Sequence, residues 1–142
     1  MYGYCIEDLS EGMDASQRKT VTEADMGLFA GVTGDFNPLH TDAMYAETTP
    51  FHGRIVHGVL TAGLISAVLG TRLPGPGAIY VSQDMRFRAP VYPGETVTAR
   101  VEVTDVDRSR GFVTLATEAK VVERPILSGE AVLKVPFREQ RP

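Results

Sequence analysis

The run Thr33-Gly34-Asp35-Phe36-Asn37-Pro38-Leu39-His40 sets a carboxylate and an imidazole five residues apart. Pro38 removes a backbone donor and pushes Asn37 away from helical geometry, and Gly34 permits a sharp exit from whatever precedes it. The spacing therefore predicts a bent segment that is not a regular helix, able to aim two side chains at one point. Asp and His, with reference pKa values of roughly 3.9 and 6.5, make a workable acid and base pair near neutral pH. The plainer alternative is an Asx-turn, with Asp35 and Asn37 capping a loop before Pro38 and His40 on the surface.

A second group of interest is Ile55-Val56-His57-Gly58, which runs into Val59–Leu69, a stretch with no ionisable side chain. A helix that is apolar on every face must be buried, so this segment is expected to be the core helix. Its first turn has orphan N–H groups with partial positive charge, left unshielded at Gly58, which suits an anion or an oxyanion. The alternative is that Gly58 only relieves crowding where the helix meets a sheet. Ser66 lies eight residues beyond Gly58, about two turns along, and is expected to face roughly the same way. A serine on a buried helix commonly bonds back to a carbonyl of the preceding turn. His52 and His57 together with Asp35 and His40 raise the question of a metal, but the spacing fits no compact ligand motif and none is expected. Arg86 and Arg88 share the outward face of a strand, by default solvated or facing another subunit, where one of them could meet a phosphate. Pro74-Gly75-Pro76-Gly77 reads as a turn, not as a phosphate-cradling loop.

The elements that must position these groups follow from the periodicity. Gln17–Val21 reads as a short edge strand. Thr22 then caps a helix with Glu23 and Asp25 in its first turn, and Met26, Phe29 and Ala30 recur at helical spacing as far as Gly31 or Gly34. A short helix is expected from Asp42 to Glu47, capped by Thr41. After Leu69 the period changes from 3.6 to 2. Ile79, Val81, Met85, Phe87 and Ala89 alternate with polar residues, as do Val97, Ala99, Val101 and Val103. Val113, Leu115, Ala119 and Val121 form a third such set, and Ala131, Leu133, Val135 and Phe137 a fourth. Pro125 suggests a bulge or break before the last strand. Successive one-faced strands joined by short turns are antiparallel and need a cover for their inner face. The only fully apolar element is the helix after Gly58. The deduction is an α+β domain, a curved antiparallel sheet wrapped around one buried helix.

Composition sets the outer limits. A chain of 142 residues suits one domain spanning 1–142, and 43% hydrophobic content indicates a soluble globular protein. A formal charge of −4 without a basic cluster excludes a nucleic-acid footprint. The first residues lack the pattern of a signal peptide, no apolar run is long enough to span a bilayer, and the lone Cys5 allows neither an intrachain disulfide nor a cysteine-rich metal site. A cytoplasmic location is expected.

Together these motifs resemble the MaoC-like (R)-specific enoyl-CoA hydratases, the hydratase 2 group, on the hot-dog fold. The likeness runs over about residues 16–136. It rests on Phe29–Ala46 with its Gly-Asp-Phe-Asn-Pro-Leu-His core, on Ile55-Val56-His57-Gly58, on Ser66, and on the closing strand Gly129–Pro136. It is greatest to the small bacterial forms that link fatty-acid oxidation to polyhydroxyalkanoate synthesis. The resemblance implies that Asp35 and His40 hold one water and add it across the double bond of a trans-2-enoyl thioester. It also implies that Asn37 orients the pair or its loop, that the Gly58 N–H holds the thioester oxygen, and that Ser66 supports His40 or that oxygen. Which of Asp35 and His40 is acid and which is base stays open. Coenzyme A would be the substrate's handle, with no cofactor, and a homodimer or assembly of dimers is implied, with no nucleic-acid or membrane partner.

Two other readings compete. One is a dehydratase or thioesterase on the same fold. Many such enzymes carry an acid on the central helix, and Gly58–Leu69 has none, so Asp35 must supply it. The other is a non-catalytic acyl-CoA binding module, which has no need of both an acid and a base.

Overall fold

The computed structural model describes residues 2–141. Its main elements, in chain order, are β1 (Asp14–Thr20), α1 (Glu23–Thr33), α2 (Pro38–Thr41), α3 (Ala43–Glu47), α4 (Gly58–Thr71), β2 (Ile79–Phe87), β3 (Thr96–Asp107), β4 (Phe112–Val121) and β5 (Arg124–Lys134). The strands form a single antiparallel sheet in the order β1-β3-β4-β5-β2, and α4 packs against one face of it, chiefly on β3. This is the sheet-around-helix arrangement of the hot-dog fold. Among the described residues, no helix is long and apolar enough to cross a membrane.

The core follows from the alternation. Val97, Ala99, Val101 and Val103 of β3 are buried, as are Val113, Leu115 and Ala119 of β4 and Leu127, Ala131 and Leu133 of β5. They meet Leu60, Leu64, Ile65, Val68 and Leu69 of α4. Intervening positions point outward, as period-2 patterning requires. At Thr22 a reciprocal capping box starts α1: the hydroxyl accepts from the Asp25 N–H, and the Asp25 carboxylate accepts from the Thr22 N–H.

Several boundaries differ from the sequence expectation. Pro38 opens a helical turn, α2, because a proline at the first helical position forfeits no hydrogen bond and brings a suitable φ. Asp42, not Thr41, caps α3, accepting from the Met44 and Tyr45 N–H groups, while the Thr41 hydroxyl donates back to Phe36 and Asn37 carbonyls. β1 begins three residues before Gln17, at Asp14. β5 begins at Arg124, well before Ala131, because a tight turn at Val122, with φ at 54°, folds the chain straight back from β4. Pro125 sits where the β4–β5 register shifts, so its missing N–H disrupts no regular ladder. Finally, β2 pairs with β5 at the sheet's edge, and α4 is not covered on every side: Val59, Gly63, Ser66 and Gly70 are exposed along one stripe.

Candidate active site

Gly34 ends α1 in the left-handed region at φ 77°, donating to the Ala30 carbonyl. The chain then folds on itself through short-range bonds. The Asp35 N–H donates to the Thr33 hydroxyl (3.2 Å), the Asn37 N–H to Asp35 Oδ1 (3.2 Å), and the Leu39 N–H to Asn37 Oδ1 (3.0 Å). An Asx-turn is therefore present, and it serves to hold Asp35 one helical turn from His40. Asn37 caps α2 and shapes the loop that carries both.

His40, at the end of that turn, has Nδ1 2.7 Å from the backbone oxygen of Ile55. A carbonyl only accepts, so Nδ1 carries a proton and Nε2 is the ring nitrogen left for chemistry. The Ile55 N–H in turn bonds the Leu39 carbonyl, tying this segment to the approach to α4. His57, the residue before α4, is buried, with Nε2 3.0 Å from the Asp35 backbone oxygen. Its ring packs on His40 with centroids 4.0 Å apart and on Phe29 at 4.7 Å.

Asp35, His40 and His57 thus converge, with one side-chain nitrogen or oxygen of each lying within 4.8 Å of the others'. His52, which the sequence grouped with them, is elsewhere, on an exposed turn. As metal ligands the three are compromised, because His40 Nδ1 and His57 Nε2 both donate to carbonyls and His57 Nδ1 is shut off from solvent. As a proton-handling site the arrangement fits better. One water bonded to a carboxylate oxygen and a ring nitrogen at about 2.8 Å each spans their separation.

Beside this cluster lies a mostly apolar cavity of about 470 Å³, its lining including His40, Ile55, Gly58, Thr61, Phe87 and Arg88. Gly58 opens α4, and the N–H groups of Gly58 and Val59 find no acceptor among the described residues. A Cβ at Gly58 would lie 2.7 Å from the Phe87 ring, so any larger residue there would force that ring to shift. The crowding reading of Gly58 is met by this contact, and its N–H is left without an acceptor among the described residues. Arg88 stands at the cavity with its guanidinium on the Ser128 hydroxyl, at 2.9 and 3.0 Å; Arg86 does not line it.

Ser66 is not brought to His40. Eight residues is roughly 80° more than two full turns, so Ser66 falls on the exposed stripe of α4, in a second groove with Phe29, Val59 and Tyr80. His57, which the sequence raised only in connection with a metal and within the approach to α4, is the residue whose place beside Asp35 and His40 was not foreseen. Its signal was its position: a histidine stands at a helix N-cap, where a short polar side chain is the norm, and makes no cap bond.

Residues 7–124 match the MaoC like domain family. The chain is 54% identical over 133 residues to an (R)-specific enoyl-CoA hydratase of Rhodospirillum rubrum, covering 94% of this chain and 92% of that protein. It is 48% identical over 135 residues to a 3-hydroxybutyryl-CoA dehydratase of Methylorubrum extorquens, covering 95% and 86%. Among solved structures, an (R)-hydratase from Aeromonas caviae involved in PHA biosynthesis superposes with a TM-score of 0.88 at 42% identity, over 92% of this chain and 99% of that one.

Proposed function

The chain belongs to the MaoC-like family, and from that premise we propose that it is an (R)-specific enoyl-CoA hydratase in which Asp35 and His40 hold and activate one water. One observation carries this: the Asp35 carboxylate and the His40 ring lie within one water's reach, beside an apolar cavity at the N-terminus of α4. The substrate is a trans-2-enoyl-CoA, its acyl chain in the cavity and its thioester oxygen at the Gly58 N–H. His40 Nε2 takes a proton from the water as its oxygen bonds to C3, and the electron pair of the double bond moves toward the thioester as an enolate. Orphan N–H groups at a helix end stabilise that charge where it develops. The Asp35/His40 pair then delivers one proton to C2 and ends in its starting state. Hydroxyl and proton come from one place, so the addition is syn. The choice of face, and with it the (R) hand, is supported by the named activities of the relatives.

Coenzyme A is a handle and no cofactor enters the scheme. Dehydration of 3-hydroxybutyryl-CoA, the activity named for the Methylorubrum relative, is the same chemistry run backwards. The working unit is a homodimer: β2 is a sheet edge with Ile79, Val81 and Phe87 exposed, flanked by the uncovered stripe of α4, and a second copy would cover both. The test is crotonyl-CoA. Loss of the conjugated thioester absorbance with formation of (R)-3-hydroxybutyryl-CoA supports the reading. Binding without loss of absorbance makes the protein a binding module, free CoA makes it a thioesterase, and an (S) product overturns the assigned geometry.

A further inference from the structure

His57 is a buried ionisable side chain beside the site to which the scheme above gives no task. It is 1% exposed and stands at the N-cap of α4, where Ser, Thr, Asp or Asn would bond an orphan N–H; its own side chain caps nothing. Nε2 faces the Asp35 backbone oxygen at 3.0 Å, and a carbonyl can only accept, so Nε2 carries the proton. Nδ1 is then left with a lone pair, buried and without a partner among the described residues. A buried acceptor without a donor is destabilising. A phenyl ring would fill the space between Phe29 and His40 without that penalty. What the imidazole adds over a phenyl ring is the Nε2–H bond to Asp35.

The geometry points to His57 as a positioning residue that fixes the Asp35 backbone relative to His40. Three contacts define this. The ring donates to Asp35, its face lies on His40 at 4.0 Å and 33°, and Phe29 backs it at 4.7 Å. His40 is anchored in turn by Nδ1–H to Ile55, two residues before His57. Both halves of the dyad are therefore referenced to residues 55–57, and through them to the N-terminus of α4, where the thioester oxygen would sit. His57 touches neither substrate nor water in this scheme; it sets the spacing of the groups that do.

The role rests on the hydration scheme proposed above, and its test separates the two. Asparagine presents its amide near the position of Nδ1 and cannot reach the Asp35 carbonyl, whereas glutamine presents an N–H near the position of Nε2. With crotonyl-CoA, His57→Asn is expected to lower kcat by about 10- to 100-fold with KM within about twofold of wild type, the scale of a displacement near one ångström. His57→Gln is expected to restore most of that loss. Equal loss in both folded variants, or wild-type kcat in His57→Asn, overturns the role. Should the variants not fold, nitrogen NMR of the wild-type protein near neutral pH decides. An Nε2–H tautomer for His57 beside an Nδ1–H tautomer for His40 supports the assignment, and an imidazolium or the opposite tautomer at His57 overturns it. Wild-type protein inert toward crotonyl-CoA would instead sink the hydratase reading.

Discussion

Asp35 and His40 each make one bond that shapes the loop and leave one group for chemistry, so the two functions can be separated by substitution. Asp35→Asn retains a side-chain oxygen for the Asn37 N–H but loses the ionisable carboxylate. His40→Asn retains a donor for the Ile55 carbonyl but loses Nε2. Each is expected to slow crotonyl-CoA hydration by roughly 100- to 10,000-fold with the fold intact, the usual worth of one positioned acid or base. Because both act on one water in the proposed scheme, the double variant should cost far less than the product of the single losses. Spectrophotometric rates alongside circular dichroism check this. A folded Asp35→Asn protein with near wild-type rate would reduce the motif to a capped turn.

Among the elements, the start of α1 has a distinct acid sensitivity. Backbone bonding at Thr22, then the ammonium group of Lys19 at 2.9 Å, holds the Asp25 carboxyl below its ordinary value. A carboxyl whose folded-state pKa is depressed contributes stability above its unfolded pKa, and that contribution is lost as pH falls through the folded value. Thermal melts of the wild type are therefore expected to drop progressively below about pH 4, while Asp25→Asn starts lower at neutral pH and shows a flatter profile. Parallel profiles for the two proteins would mean that the cap contributes nothing. This cap was legible in the sequence because Thr22, Glu23 and Asp25 act over one turn. The same holds for the alternation in β3, β4 and β5, and for α4, whose lack of charge on any face is a local property. Less was legible where a residue type has two uses. Pro38 excludes helix before itself yet favours it after, so α2 went unforeseen. The alternation of β2 reads alike for an edge and an interior strand. Gly63, Ser66 and Gly70 count as apolar or small by composition while lining an uncovered face. His57 could not be joined to Asp35 across 22 residues by any local rule.

For the molecule as a whole, the exposed edge and stripe are the features that most need a partner. Ile79 is 64% and Val81 54% exposed on β2, and Val59 is 58% exposed on α4, alongside a groove of about 530 Å³. Sedimentation is expected to find a dimer at micromolar concentration, and Val81→Asp, which sets a charge on that surface, is expected to yield monomer with reduced hydration activity. A monomeric wild type would remove the dimer from the proposal. The strand order carries a further consequence, for time instead of space. β3, β4 and β5 are consecutive hairpins, whereas the outer strands pair across long stretches of chain, Asp14 with Glu102 and Ile79 with Lys134. Closing long loops is slow because the entropy is lost before the contacts are made. The central meander is therefore expected to gain protection first in pulsed hydrogen exchange during refolding, and β1 with the Ile55 N–H last; the reverse order would contradict it. The segment bearing Asp35 and His40 lies between β1 and α4, inside the loop expected to close last, so the scaffold is expected to form before the proposed site and any early intermediate to be catalytically silent.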